Sequence, residues 1–173
     1  MTDVPGATTI RVDRTFAFID LSGFTRFTDS QGDGEATELL KQFREAVRDA
    51  ASTRGVRIAK WLGDGAMLVG VEPDPVVEAV VDIEQRIDES AAGLPLRGGI
   101  SRGPVILFEG DDCIGHAVNI AARLCDEAAP REVLATAEAV SPSLVGIAVE
   151  SAGERRIRGV EILIPLLRLT ACD

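Results

Sequence analysis

The chain has 173 residues, a formal net charge of −10 at pH 7 and an apolar fraction of 46%. This length suits one domain, which would bury roughly 70% of its unfolded surface. The negative charge argues against nucleic acid and anionic membranes as binding partners, because both are polyanions. Three cysteines without metal-ligand spacing favour a reduced, cytoplasmic setting. We see no signal peptide, and no apolar run approaches the roughly 20 residues that span a bilayer.

The first predicted element is a strand over residues 16–21, which follows a short polar lead-in over residues 1–13. The strand is apolar almost throughout, as strands buried on both faces are. It nevertheless contains Asp20 near its end. A buried strand tolerates such a charge only where something compensates it, and a divalent cation is the leading candidate.

A helix is predicted to begin at Gly23 or Thr25, with a possible interruption over residues 30–34. It continues over residues 35–53, where apolar residues recur with the period of an amphipathic helix. Gly55 is expected to end it, since glycine accepts the left-handed conformation of a helix terminus.

A hairpin is predicted next, with strands over residues 56–61 and 66–71 around a Leu-Gly-Asp-Gly turn. The acid in this turn is Asp64. Two carboxylates at the ends of two strands, Asp20 and Asp64, are what a two-metal phosphoryl-transfer site requires.

The remaining predicted elements alternate strands with helices. They are a helix from Pro73, strands over residues 94–100 and 104–108, a turn at 110–112, a helix over 117–125, a strand over 133–136, and two strands after Glu150 broken at 158–159. This order predicts an α+β fold, a ferredoxin-like sandwich with helices on one face of a mostly antiparallel sheet.

Four segments in this order resemble the catalytic domain of the class III adenylate/guanylate cyclases. They are Phe18-Ile-Asp20-Leu-Ser-Gly23-Phe24-Thr25, Lys60-Trp-Leu-Gly63-Asp64-Gly, Gly99-Ile100-Ser-Arg-Gly103 and Val118-Asn119-Ile-Ala-Ala-Arg123-Leu. Each motif alone is weak, but together they cover the chain from about residue 14 to its end, and the catalytic domain is therefore placed at 14–173.

The resemblance implies that a ribose 3′-oxygen attacks the α-phosphorus of a nucleoside triphosphate, with the help of two divalent cations, Mg²⁺ or Mn²⁺. Asp20 and Asp64 would hold both cations, and the backbone carbonyl of Leu21 would add a further oxygen ligand. The helix start at Gly23-Phe24-Thr25 would turn free N–H groups towards the triphosphate. Without the resemblance, this segment predicts only an ordinary helix cap.

Base selection follows from hydrogen-bond chemistry once the resemblance assigns Lys60 and Asp112 as the two base-reading residues. Adenine offers an acceptor at N1 and a donor at N6, whereas guanine reverses both. A lysine–aspartate pair therefore complements adenine, which predicts ATP as the substrate. Two alternatives stay open at this point: Lys60 as a solvated strand lysine, and Asp112 as a plain turn acid with Asp111 in its place.

The resemblance further implies that Asn119 orients the ribose and that Arg123 stabilises charge at the α-phosphate. On a helix these two residues lie one turn apart on one face. Arg158 falls near the family's lysine for the β- and γ-phosphates, although Arg155 and Arg156 are close by and a solvated basic turn fits equally well.

In this family each active site is shared between subunits, so the resemblance implies a head-to-tail homodimer. Two features depart from the family pattern: the segment over residues 103–119 is shorter than the usual hairpin, and Pro104 stands where some relatives carry a basic residue. The alternative functions are a catalytically silent nucleotide-binding regulatory module, a guanylate cyclase, and an unrelated α+β interaction domain.

Overall fold

A computed structural model of the chain describes residues 10–90, 93–110 and 112–173. Its elements are β1 (Arg11–Leu21), α1 (Phe24–Gln31), α2 (Asp33–Ser52), β2 (Arg57–Leu62), β3 (Gly65–Gly70), α3 (Pro73–Asp88), β4 (Leu96–Phe108), β5 (Asp112–Ile114), α4 (His116–Glu127), β6 (Val133–Thr136), β7 (Ile147–Arg156) and β8 (Leu163–Ala171), with a short 3-10 helix at Ala137–Ala139.

The strands form a single sheet in the order β2-β3-β1-β4-β6-β8-β7, and β5 pairs with the far end of β4. The β4–β6 pair is parallel, and the other pairs among the described residues are antiparallel. The predicted α+β fold with a mostly antiparallel sheet is confirmed.

The helices pack on both faces of the sheet, which corrects the prediction that they share one face. Ala17 and Ile19 of β1 belong to the core formed with α2 and α3. Phe16, which points the opposite way on the pleated strand, packs against Ala117 and Ala121 of α4. Of the helices in the described ranges, α4 alone lies on the second face.

Several predicted boundaries move. β1 begins at Arg11, inside the predicted lead-in, and the predicted helix interruption narrows to Gly32, whose φ of 89° breaks the helix between α1 and α2. The two strands predicted at 94–100 and 104–108 are one 13-residue strand, β4. Pro104 fits within it because, among the described residues, the 101–105 segment has a strand partner only on its β1 side.

Of two adjacent glycines in β4, Gly99 sets the distance between the sheet and a helix layer. A Cβ added to Gly99 would lie 2.6 Å from Cβ of Leu124 in α4, and nearer still to backbone atoms of that helix. A Cβ added to Gly98 would lie 3.4 Å from side-chain carbons of Ile19 and Val80 on the other face, an ordinary contact. The missing side chain of Gly99 thus lets α4 lie directly on the sheet.

Candidate active site

The two predicted metal carboxylates come together at one end of the sheet. Asp20 lies near the end of β1, opposite Gly65 of β3, and Asp64 lies in the β2–β3 turn. The Leu21 amide donates a hydrogen bond to the Asp64 carbonyl at 3.1 Å. A Cβ on Gly65 would approach the Ile19 carbonyl to 2.5 Å, so glycine there lets the turn lie flat against β1.

The charges of this pair are compensated by a basic residue that the sequence analysis did not identify. Arg97 of β4 donates two hydrogen bonds to the Asp20 carboxylate, from Nε to Oδ1 at 2.7 Å and from Nη2 to Oδ2 at 3.1 Å. Its Nη1 donates to the Asp126 carbonyl near the end of α4 at 3.0 Å. Burial, and then repulsion by Asp20, raise the pKa of Asp64, while the hydrogen bond to Asp20 raises the pKa of Arg97. This corner of the molecule therefore favours positive charge.

The donor set fits a divalent cation whose shell is completed by substrate. Within the described ranges no group of three or more His, Cys, Asp or Glu side chains could hold a metal. Magnesium is, however, commonly held by one or two carboxylates together with waters and substrate phosphates, which Asp20, Asp64 and the Leu21 carbonyl would allow. Next to them, the buried hydroxyl oxygen of Ser22 has no hydrogen-bond partner in the described part of the chain.

The start of α1 offers free backbone donors beside these carboxylates. Gly23 is the N-cap, with a left-handed backbone (φ 80°, ψ 16°), and no side chain caps the helix. The segment is therefore a helix cap, as predicted, but one without a capping side chain. The first N–H groups of a helix, here those of Phe24 and Thr25, have no partner within the helix and suit an anion.

The two predicted base readers both line a cavity of about 280 Å³. Nζ of Lys60 lies 3.6 Å from Oδ1 of Asp112. The rest of the lining is largely apolar and comprises Phe18, Arg57, Ala59, Leu62, Met67, Val69, Cys113 and Val118. Because these two charged side chains are 58% and 60% exposed, their ion pair contributes at most about 1 kcal/mol and can readily exchange for a ligand. Asp111, the alternative reader, lies outside the described residues.

A β-bulge in β2 directs Lys60 into this cavity. The register of β2 on β3 shifts between Ile58 and Lys60, which leaves Ala59 as the extra residue. Ile58 and Trp61 then pack on the core beneath α2 and α3, whereas Ala59 and Lys60 both line the cavity. Strict alternation from Ile58 would have turned Lys60 towards the core.

α4 presents the two predicted catalytic residues. Asn119 and Arg123 are one helical turn apart and exposed, and neither side chain makes a hydrogen bond or ion pair with any described residue. Val118, the neighbour of Asn119, lines the base cavity. The helix thus places Asn119 next to the site of the proposed base.

The three arginines near the end of β7 separate into different roles. Arg155 lies 3.7 Å from Glu132 in an ion-pair cluster that includes Arg168. Arg156 closes β7, while Arg158 lies exposed in the following loop without a described partner. Arg156 is likewise exposed without a described partner, so the structure sets Arg155 apart but does not choose between Arg156 and Arg158, and the role of Arg158 stays a prediction.

Arg97 and the Ser22 hydroxyl were missed by the sequence analysis. A signal for Arg97 existed: it is a charged residue within the apolar run of β4, and a buried strand tolerates a cation on the same condition that applied to Asp20. Separately, the described helices include none that is both long and apolar enough to cross a membrane.

Comparison with known proteins places these observations in a family. No family model matches the chain. An uncharacterised protein of Mycobacterium tuberculosis is 38% identical over 135 residues, which cover 78% of this chain and 35% of that protein. A pH-sensitive adenylate cyclase of M. tuberculosis is 31% identical over 171 residues, covering 96% of this chain and 42% of the relative. The chain thus spans well under half the length of these curated relatives.

Solved structures match over nearly the whole chain. The adenylyl cyclase CyaB from P. aeruginosa superposes with a TM-score of 0.81 at 22% identity, covering 96% of this chain and 98% of that one. At this level of identity the match concerns the fold. Together with the related sequences and the motifs placed above, it shows that the chain belongs to the class III nucleotide cyclase catalytic domains.

Proposed function

We propose that this domain is an adenylate cyclase that converts ATP to 3′,5′-cyclic AMP and pyrophosphate. The observation that carries the proposal is the pair formed by Lys60 and Asp112 at the mouth of a small, largely apolar cavity. The lysine would donate to N1 of adenine and the carboxylate would accept from N6. Guanine would set a donor against the lysine and an acceptor against the carboxylate, which sites of this kind reject strongly.

Asp20, Asp64 and the Leu21 carbonyl would hold Mg²⁺ or Mn²⁺. When bound, these ions would lower the pKa of the ribose 3′-hydroxyl and neutralise charge on the phosphates. Arg97 holds both oxygens of the Asp20 carboxylate through two hydrogen bonds, and its positive charge would compete with a cation for that carboxylate. The free N–H groups at the start of α1 would receive the triphosphate.

Asn119 would orient the ribose, and Arg123 would stabilise the charge that builds on the α-phosphate during attack. Both are exposed and unpartnered among the described residues, which supports a role towards a molecule outside the chain. Arg158 would contact the β- and γ-phosphates from the β7–β8 loop.

The active unit is proposed to be a head-to-tail homodimer in which one protomer supplies Asp20 and Asp64 and its partner supplies the base readers and α4. The β4–β5 hairpin supports an interface, because three of its apolar side chains, Leu107, Phe108 and Ile114, are 47%, 48% and 53% exposed.

The first test measures cyclic nucleotide formed from ATP and from GTP with Mn²⁺ or Mg²⁺, over a range of protein concentrations. We expect cyclic AMP, a specific activity that rises with concentration, and no product from Asp20→Ala. If no product forms from either nucleotide at concentrations where a dimer is detected by sedimentation, the domain is a silent module and the proposal fails. Preferential use of GTP would overturn the assignment of the base readers.

A second test addresses the shared site. Asp20→Ala and Arg123→Ala are expected to be inactive alone, because each removes one half of both sites. Mixed in equal amounts, half of the dimers would be mixed, and each would contain one intact site, so about a quarter of the wild-type activity should return. Failure of the mixture to recover activity, with exchange of subunits verified, would exclude the head-to-tail arrangement.

A further inference from the structure

A second and larger cavity, of about 860 Å³, opens beside α4. β4 pairs with β6 over Gly98–Ile100 and with β5 over Ile106–Phe108, so the intervening part of β4 leaves a gap in the sheet on that side. The first turn of α4 and the segment leading into β8 border this gap. The cavity shares no lining residue with the base cavity.

The lining of this cavity is mostly apolar with a small polar part. Among its apolar members are Val105, Ile114, Ile120, Val160 and Ile164. A volume of this size falls within the range of roughly 300–1,000 Å³ that is typical of small-molecule sites, which also combine apolar walls with few polar groups.

The uncharged polar part of the lining consists of two buried hydroxyls and a helix start. Ser101 and Thr136 line the cavity and are only 2% and 3% exposed. Oγ1 of Thr136 has no hydrogen-bond partner among the described residues. The first turn of the 12-residue helix α4, at Gly115 and His116, also lines the cavity, and no side chain caps that helix. A buried hydroxyl left without a partner is costly, and an occupant with an acceptor oxygen would satisfy it.

The charges around the cavity argue against an ionic occupant. Arg11 is offset by Asp13 and Glu138. Arg102 also lies on the lining, but its guanidinium is engaged elsewhere, donating a 2.9 Å hydrogen bond to Thr15. Counted together, the two arginines Arg11 and Arg102 balance the two carboxylates of Asp13 and Glu138, so burial of a further full charge would not be compensated.

We propose that this cavity binds a small, uncharged, mainly apolar molecule that carries a hydrogen-bond acceptor such as a carbonyl oxygen. The Thr136 hydroxyl and the start of α4 recognise the acceptor, and the apolar wall receives the body of the molecule. An occupant would touch the helix that carries Asn119 and the loop that carries Arg158. Binding itself does not depend on the proposed cyclase activity.

The test uses the uncharged fluorescent ketone prodan, whose emission shifts to shorter wavelength in apolar surroundings. We expect saturable binding of one prodan per chain. Val160→Phe, which fills the cavity, should weaken prodan binding at least about tenfold. Thr136→Val, which keeps the side-chain shape but removes the hydroxyl, should weaken it roughly two- to twelvefold. Val145→Phe is the matched control, because Val145 is 83% exposed outside the cavity and its change should leave binding unaltered.

Three results would overturn the proposal. The first is absence of saturable binding, or binding that Val160→Phe leaves intact. The second is displacement of prodan by ATP, which would place the probe in the base cavity. The third is loss of prodan binding at protein concentrations where the dimer forms, because the cavity would then be occupied by the second protomer of the dimer. An inactive protein that binds prodan as described would refute the cyclase proposal and leave this one standing.

Discussion

Replacement of Gly99 by alanine tests whether the position of α4 depends on the absence of one methyl group. A Cβ at this position would lie 2.6 Å from Cβ of Leu124, whereas an ordinary contact requires at least 3.4 Å, so the helix must retreat by about 0.8 Å or more. Gly99 has no left-handed φ, and the cost is therefore steric. Overpacking of this kind destabilises by about 1–3 kcal/mol.

The same displacement should reach the chemistry, because Asn119 and Arg123 lie on the helix that moves. A shift of about 1 Å in a catalytic group can cost on the order of 100-fold in rate. We therefore expect Gly99→Ala to lower both the free energy of unfolding, measured by urea denaturation, and the rate of cyclic AMP formation.

Gly98→Ala is the matched control, because it adds the same methyl group to the neighbouring residue on the opposite face. Its Cβ would meet side-chain carbons of Ile19 and Val80 at 3.4 Å, and these can adjust. We expect less than about 1 kcal/mol of change and nearly full activity. If Gly99→Ala were as stable and as active as Gly98→Ala, the close packing of α4 on β4 would not control the site.

Two further predictions concern charged groups. Arg97→Gln removes the cation that holds Asp20, so Mn²⁺ should bind the nucleotide-free protein roughly three- to tenfold more tightly; unchanged or weaker binding by electron paramagnetic resonance would contradict this competition. Burial alone would raise the pKa of Glu132, but hydrogen bonds from the Ala129 amide and Arg168 lower it below its ordinary 4.5. The stabilisation that Glu132 provides is thus present above about pH 4.5 and lost as the pH falls through the lowered value. Glu132→Gln should therefore lower the free energy of unfolding by about 1–3 kcal/mol at pH 7, and its stability should fall less on acidification than that of the wild type. Urea denaturation at pH 7 and pH 3.5 measures both effects, and equal acid sensitivity of the two proteins would refute the role of Glu132.

Features encoded by short stretches of sequence could be predicted. The separate positions of Asp20 and Asp64, near a strand end and in a hairpin turn, could be predicted from local sequence, whereas their meeting depends on the pairing of β1 with β3 and was implied by the family resemblance. The meeting of Lys60 and Asp112 is a longer-range contact and depended on the family resemblance. The functional roles of all four residues remain predictions.

Features that depend on contacts distant in sequence could not be predicted. Arg97 reaches Asp20 across 77 positions of the sequence, and nothing in the neighbourhood of either residue specifies the other. The face occupied by α4 was also missed, because the apolar periodicity of a helix shows that it packs but not on which side of a sheet. Pro104 suggested a break in β4, since the pattern cannot reveal that its edge there has no strand partner.

The bulge at Ala59 also bears on how this protein can change over evolutionary time. It divides β2 so that Ile58 and Trp61 serve the core while Ala59 and Lys60 serve the cavity. If Lys60 reads the base as proposed, selection on stability and selection on substrate choice act on different residues of one strand. A lineage could then exchange Lys60 and acquire a new base preference without first gaining a reserve of stability, because Lys60 contributes little to the packing of the fold.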